Sequence, residues 1–164
     1  MQLKYKLGGP MERLMIERLL AADSPLHWEC PPDFDYPAEL AAVDNLRPTF
    51  EAIIGHPVDL DRNVQDAAFF SELAYQAAPR TMPIGSIILT YVAVRFSCFG
   101  RLVTIWGNVP ETPISNTLEL ALAVELENRG YCYVPAATLD EPYSGPNVHA
   151  ASIATWWLRF FDYC

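Results

Sequence analysis

The chain has 164 residues, a length that fits one domain, and we expect a single domain over residues 1–164. Hydrophobic residues make up 51% of the chain and charged residues 19%, a composition that excludes an intrinsically disordered protein. Eleven basic residues against twenty acidic residues give a net charge of -9. This charge disfavours nucleic acid and anionic membranes as partners, because binding to either depends on Lys and Arg near phosphates.

The sequence predicts a cytoplasmic protein with free thiols. Met1–Pro10 contains two lysines, but no apolar stretch follows it as in a secretory signal. The longest apolar region without charge, Met82–Val94, is much shorter than the ~20 residues of a membrane span. The four cysteines lie at least 32 positions apart, so no C-x-x-C metal or redox motif occurs.

The first half of the chain is predicted to be helical. Pro10–Ala22 reads as a helix, because Pro suits the first helical position and the Met and Leu residues fall near one face. Ala38–Leu46 and Pro48–Ile54 read as two short helices. Asp61 is predicted to cap a further segment that runs to Ala78. The apolar residues of that segment, Ala67, Phe69, Phe70, Leu73 and Tyr75, fit a helix or a strand, and we favour a helix.

The second half predicts most of a sheet. Both alternating faces of Ile84–Phe96 are apolar, as in a central strand, and Arg101–Trp106 follows closely enough to form an antiparallel hairpin with it. Asn116–Asn128 is an amphipathic helix, and Tyr131–Val134 reads as a strand. Ile153–Tyr163 is predicted to be a last strand, with a helix as the alternative. The fold class is therefore α+β, with an antiparallel or mixed sheet of about four strands packed with helices.

Negative charge is concentrated in residues 23–66, which hold ten acidic residues, two basic residues and six of the fourteen prolines. Such a segment forms loops and short helices. One reading is a solvated face; the other is an anionic surface that steers a basic protein partner. Aromatic side chains lie among the carboxylates, as in an interface with a hot-spot core and a charged rim. The predicted partner-binding residues are Trp28, Asp33, Phe34, Asp35 and Tyr36, with Asp59 and Asp61 in the rim.

A metal-assisted hydrolase is the alternative function, with His56, Asp59 and Asp61 around a divalent metal. The two aspartates have the spacing that opens a calcium-binding loop. The match ends there, because the sixth and twelfth positions are Val64 and Phe70 instead of Gly and Glu. The other interpretation is a polar loop whose Asp caps the next helix.

Nucleophilic catalysis has one candidate pair, His27 and Cys30, which lie three positions apart. His56 or His149 is an alternative neighbour for this thiol in space, and the sequence implies no third orienting group. Ser144 lacks the G-x-S-x-G frame of a nucleophile elbow, and the chain has no phosphate-binding glycine motif. We therefore expect no catalytic residue and no cofactor.

Aromatic residues crowd the end of the chain at Trp156, Trp157, Phe160, Phe161 and Tyr163. Burial on both sides is one explanation of this cluster. A partner surface is the other, since Trp, Tyr and Arg dominate interface hot spots. The same stretch is the expected interface if the protein is a structural subunit of a homo-oligomer.

Two segments, RFSCFGRLVTIWG at Arg95–Gly107 and TWWLRFFDYC at Thr155–Cys164, resemble bacterial immunity proteins of toxin–immunity systems, as does the small acidic α+β frame. Members of these families bind and block a cognate toxin, often through acidic surfaces, and catalyse no reaction. The resemblance transfers no residue role. It implies a non-enzymatic acidic protein that inhibits or sequesters a protein partner.

Overall fold

A computed structural model of the protein describes residues 9–61, 69–76, 80–81, 87–88, 91–108 and 115–162. The helices are α1 (Pro10–Ala22), α2 (Tyr36–Asp44), α3 (Arg47–Ile54), α4 (Asn116–Asn128), α5 (Ala136–Leu139) and α6 (Trp156–Phe160), with a 3-10 turn at Ala150–Ser152. The strands are β1 (Asp59–Asp61), β2 (Ser71–Gln76), β3 (Arg80–Thr81), β4 (Ile87–Ile88), β5 (Tyr91–Phe96), β6 (Leu102–Asn108) and β7 (Cys132–Tyr133).

The main sheet is mixed and has five strands in the order β1-β2-β5-β6-β7. The pairs β1–β2, β2–β5 and β5–β6 are antiparallel, so the predicted β5–β6 hairpin is confirmed. The pair β6–β7 is parallel and is joined through α4, because a parallel pair needs a crossover connection. The α+β class is therefore confirmed, with five strands in the sheet instead of about four. Strands β3 and β4 pair separately.

Helices α2, α3 and α4 pack on one face of this sheet. Their side chains meet alternate residues of the strands, such as Leu73 of β2, Val94 of β5 and Val103 of β6. Phe50 of α3 and Leu126 of α4 are fully buried there. This cluster fixes the position of α2, which borders the candidate site described below.

Helices α1, α5 and α6 build a second core beside the β5–β6 turn. Leu102 of β6 and Phe99 of the turn pack there against Leu19 of α1 and Trp156 of α6. Leu102 lies on the opposite face of β6 from Val103, because successive side chains of a strand alternate. The two cores therefore cover opposite faces of the sheet.

Two long helices match the sequence prediction at both ends. Pro10 occupies the first position of α1, where an N–H group has no partner within the helix, so its absence costs no hydrogen bond. The hydroxyl of Ser115 accepts the N–H of Leu118 at 3.2 Å and caps α4. Gly130 follows the end of α4 with a φ of 79°, which favours glycine.

The prediction of a helix between Asp61 and Ala78 is wrong at Ser71–Gln76, which forms β2. Leu73 and Tyr75 alternate toward the core, and backbone pairing with β5 on one side and β1 on the other decides the structure. Asp61 ends strand β1 in the structure, and the residues that it was predicted to cap at 62–68 lie outside the described residues. Part of the strand predicted over Ile84–Phe96 likewise falls on residues 84–86 and 89–90, which are not described.

The predicted last strand at Ile153–Tyr163 is also wrong, because Trp156–Phe160 forms helix α6. The hydroxyl of Thr155 caps this helix by accepting the N–H of Leu158 at 3.2 Å. Trp156, Phe160 and Phe161 are buried within the chain's own core, so they cannot form the predicted oligomer interface. Tyr163 lies outside the described residues. None of the helices in the described ranges has the length and apolar character to span a membrane.

Candidate functional site

An acidic groove of about 550 Å³ separates α2 from the turn between β5 and β6. The chain entering α2 and the first turns of that helix form one wall, and the hairpin turn forms the other. Three of the predicted partner-binding residues therefore come together in one groove. The charged and aromatic residues that line it are Asp33, Phe34, Asp35, Glu39 and Arg101.

The carboxylates of this groove differ in how they are held. Asp33 is exposed, and no described residue forms a hydrogen bond or ion pair with its side chain. Asp35 is also exposed and caps α2, since its Oδ1 accepts the N–H of Ala38 at 3.0 Å. Glu39 accepts a hydrogen bond from the hydroxyl of Tyr131 at 3.0 Å. Burial raises the pKa of Tyr131, and the charge and hydrogen bond of Glu39 raise it further, so the hydroxyl remains a donor.

The opposite wall is a tight turn at Gly100 and Arg101, both with left-handed backbone conformation at φ values of 57° and 54°. A Cβ atom on Gly100 would overlap Ala22 of α1. The guanidinium of Arg101 lies 4.2 Å above the ring of Tyr131 and donates to the carbonyl oxygens of Gly130 at 3.0 Å and Arg129 at 3.2 Å. These contacts hold the guanidinium of Arg101 against the end of α4. Among the described residues that line the groove, Arg101 is the only cation and faces three carboxylates, so the groove is negative in balance.

The predicted aromatic residues divide between two places. Phe34 lines the acidic groove, and the ring of Tyr36 lies 6.3 Å behind it. Trp28 instead lies beside Arg159, and its ring meets the ring of His149 edge to face at 5.2 Å. The structure therefore groups Phe34 with the carboxylates and sets Trp28 apart.

Asp59 and Asp61 lie on β1, the edge strand of the five-stranded sheet, and both are exposed. Leu60 between them packs against the core. Charged side chains on an edge strand discourage pairing with another chain's strand. These two aspartates therefore have a structural explanation, and neither lines the acidic groove.

The alternative site at His56 gains no support from the geometry. The ring of His56 stacks on Tyr75 with the centroids 4.4 Å apart and the planes 6° from parallel. Among the described residues, no three His, Cys, Asp or Glu side chains form a group that could hold a metal ion.

The pair His27–Cys30 is not assembled as a nucleophile and base in the described structure. Nδ1 of His27 is 2.8 Å from the hydroxyl of Ser24. Burial raises the pKa of the Cys30 thiol, and the charge of Glu29 raises it further, so the thiol is protonated at neutral pH. His149 contacts Trp28 instead of Cys30.

A buried ion pair that the sequence analysis missed joins Asp23 to Arg159. Both side chains are 0% exposed, and Nε of Arg159 donates to Oδ1 of Asp23 at 2.8 Å. Nη1 and Nη2 of Arg159 donate to the carbonyl oxygens of Trp28 at 3.0 Å and His27 at 2.9 Å. The pair therefore fastens the loop before the acidic groove to helix α6.

The second carboxylate oxygen of Asp23 accepts a hydrogen bond from the hydroxyl of Tyr143. That hydroxyl also accepts the N–H of Asn147 at 2.9 Å. Burial raises the pKa of Tyr143, and the hydrogen bond to Asp23 raises it further. The separation of Asp23 and Arg159 by 136 positions left no local pattern from which to predict this cluster.

A second buried ion pair lies on the sheet, where Nε of Arg95 donates to Oε2 of Glu72 at 2.7 Å. The indole N–H of Trp106 donates to the same oxygen at 3.0 Å. Arg95 also lies 4.4 Å above the ring of Phe70 and donates to the carbonyl oxygen of Phe161 at 2.7 Å. This pair crosses adjacent strands and joins the sheet to the C-terminal helix, so its described contacts are structural.

A larger, apolar groove of about 750 Å³ runs between α1 and α4. This surface was not predicted from the sequence. The available signal was that both helices carry more apolar residues than one buried face needs, including Met11 and Leu14 on α1 and Leu120 and Val124 on α4.

Comparisons with known proteins assign neither groove. No protein-family model, curated protein or solved structure matches the chain. The functional inference therefore depends on the geometry and chemistry of these surfaces.

Proposed function

We propose that the protein is a non-enzymatic binding protein that uses the acidic groove to inhibit or sequester a basic protein partner. The observation that carries this proposal is the exposure of Asp33 and Asp35 on either side of Phe34 within one groove. An aromatic side chain between two carboxylates supplies both the apolar anchor and the charge that an interface with a basic partner needs.

Electrostatics gives the groove its expected selectivity. The chain carries a net charge of -9, and the guanidinium of Arg101 is held against the end of α4. Concentrated charge of one sign attracts an oppositely charged partner and raises the rate of association. Salt screens such attraction over ~8–10 Å, so binding should weaken as ionic strength rises.

Inhibition of the partner goes beyond binding and follows from the resemblance to bacterial immunity proteins. In this reading the partner is a toxin, and the protein acts in the cytoplasm of the cell that it protects. The exposed position of Asp33 supports docking, since it has no structural partner among the described residues. A partner that arrests growth when it is produced alone, and is harmless when produced with this protein, is the expected biological result.

The proposal is tested by affinity capture from host lysate at low and high salt, with Asp33→Asn/Asp35→Asn as the groove variant. Asn keeps the size of Asp and its ability to cap α2, so the change removes charge without removing the helix cap. We expect wild-type protein to retain a basic protein at low salt and release it at high salt, and we expect the groove variant to retain much less.

The matched control is Glu17→Gln/Asp140→Asn, which removes two exposed carboxylates outside the groove. Both double variants change the net charge by the same amount. If the two variants lose the partner equally, net charge and not the groove governs binding. If binding does not respond to salt, the electrostatic basis of the proposal is wrong.

A further inference from the structure

The groove between α1 and α4 exposes an unusual amount of apolar surface. Met11 is 68% exposed and Leu120 is 65% exposed, and Leu14 and Val124 beside them are also open to solvent. Met15 and Ala123 form a buried floor. A continuous apolar groove with a closed floor is typical of a surface that another molecule covers.

The walls of the groove determine what kind of chain fits it. Both walls are α-helices, α1 and α4, whose backbone groups already bond within each helix. The strand edge beside the groove is the two-residue β7, where Nη1 of Arg18 donates to the carbonyl oxygen of Tyr133 at 3.3 Å. An extended segment would therefore leave most of its own N–H and C=O groups unbonded. A helix satisfies its own backbone and packs its side chains into the space between two helices.

The dimensions of the groove set the length of the occupant. The lining residues of α4 run from Asn116 to Asn128, which corresponds to about 18 Å of helix, and those of α1 run from Met11 to Arg18, or about 10 Å. A helix of about 12 residues therefore fills the groove, with apolar residues at spacings of i, i+3, i+4 and i+7.

The charge along the groove favours a basic occupant. Glu119 and Glu127 line it together with Arg18, whose Nη1 donates to Oε1 of Glu127 at 2.8 Å. The hydroxyl of Tyr133 donates to Glu119, and burial together with Glu119 raises the pKa of Tyr133. The lining is thus negative in balance, as is the whole chain at -9. A second copy of this chain would bring like charge against like charge.

We propose that the α1–α4 groove binds an amphipathic, basic helix of a partner protein. This inference rests on the proposed protein-binding function and adds a second contact of stated chemistry. The two grooves are neighbours: Arg101 lines the acidic groove and bonds the carbonyl oxygens of Arg129 and Gly130, which directly follow Asn128 of the apolar groove. One partner can therefore present a basic surface to the first groove and a basic helix to the second.

The test uses a synthetic peptide of about 14 residues, built from Leu at helical spacing and Lys elsewhere, and a second peptide with Glu in place of Lys. Titration is followed by backbone amide shifts and by circular dichroism. We expect the Lys peptide to shift resonances of α1 and α4 and to gain helicity as it binds. We expect the Glu peptide to bind at least about tenfold more weakly, because the groove is negative.

Leu120→Gln is the decisive variant, and Leu26→Gln is its matched control, since Leu26 is as exposed as Leu120 but lies outside the groove. Leu120→Gln should weaken binding of the Lys peptide by about tenfold or more, and Leu26→Gln should leave it unchanged. Equal weakening by both variants, binding without gain of helicity, or equal binding of the Glu peptide would each overturn the proposal.

Two further measurements separate this proposal from its alternatives. Sedimentation that shows a dimer of wild-type protein, lost in Leu120→Gln, would assign the groove to a second copy and overturn the proposal. Asp33→Asn/Asp35→Asn is expected to bind the Lys peptide much as the wild type does, because neither residue lines the α1–α4 groove. If that variant retains the natural partner, the acidic groove is not the docking site, whereas the result for the helix groove still stands.

Discussion

Asp23 and Asp33 lie ten positions apart in the same acidic segment, and the fold gives them opposite environments. The side chain of Asp23 is 0% exposed and pairs with Arg159. Asp33 is exposed on the wall of the acidic groove, with no partner among the described residues. A count of charges along a sequence therefore does not give the charge that a partner meets.

The difference between the two aspartates follows from the cost of burying a charge. A buried carboxylate is tolerated only when hydrogen bonds and an opposite charge satisfy it. Asp23 meets this condition through Arg159, the N–H of Ser24 at 2.8 Å and the hydroxyl of Tyr143. Asp33 is exposed to solvent, so its carboxylate needs no hydrogen bonds or opposite charge from the protein. The buried region thus fixes the chain that leads to the groove, and the exposed region remains available for binding.

The largest expected effect comes from breaking the buried pair with Asp23→Asn. The change removes the negative charge and leaves the guanidinium of Arg159 buried without a counter-charge. We expect the free energy of unfolding to fall by about 3–5 kcal/mol, measured by urea denaturation. Asp23→Asn/Arg159→Met should recover part of this loss, because it removes both charges together.

The control for this prediction is Glu125→Gln, which breaks the more exposed pair of Glu125 with Arg129. Exposed pairs one helical turn apart contribute only about 0.3–0.5 kcal/mol. If Asp23→Asn destabilised the protein no more than this control, the buried cluster would not hold the loop and the C-terminal helix together.

A smaller effect is expected from Tyr143→Phe. The hydroxyl of Tyr143 donates to the carboxylate of Asp23, and a hydrogen bond to a charged group contributes about 1.5–3 kcal/mol at neutral pH. Because burial and Asp23 raise the pKa of Tyr143, this stabilisation is complete below about pH 10 and is lost as pH rises through the pKa of the folded protein. The stability difference between wild type and variant should therefore shrink above pH 10.

Urea denaturation at pH 8 and above pH 10 measures this change, with Tyr75→Phe as the control. The Tyr75 ring stacks on His56, and no described residue forms a hydrogen bond with its hydroxyl. Tyr75→Phe should therefore destabilise the protein less than Tyr143→Phe does at pH 8. A stability difference for Tyr143→Phe that stays constant from pH 8 upward would contradict the assigned donor role.

Local sequence signals predicted the long helices and the short helices α2 and α3, and they failed at Ser71–Gln76 and at the C-terminal aromatic run. Helices α1 and α4 carry their own start and stop residues, such as Pro10 and Gly130, so they were predicted from sequence. The C-terminal aromatic run fits a strand or a helix by composition. Thr155, which caps α6, was the available signal for the helix, and burial against Leu19 and Phe99 stabilises it.

The candidate site was predicted only in part, because its two walls lie far apart in sequence. Asp33, Phe34 and Asp35 were predicted as neighbours, since they are adjacent in the chain. The facing turn at Arg101 was not, because the hairpin reaches α2 only through tertiary packing. The same reason hid the α1–α4 groove, whose walls are joined only when the sheet is formed.

The smallest expected effects separate stability from binding within the acidic groove. Asp35→Ala removes the cap of α2, so we expect a loss of about 1 kcal/mol in the free energy of unfolding. Asp33→Ala removes an exposed carboxylate with no described partner, so we expect a change within about 0.5 kcal/mol. Both should weaken capture of a basic partner at low salt by similar factors, because each removes one charge from the groove. If only Asp35→Ala weakened capture, the stability of α2 and not the charge of the groove would govern binding. The contrast between Asp23 and Asp33 would then no longer separate a structural carboxylate from a functional one.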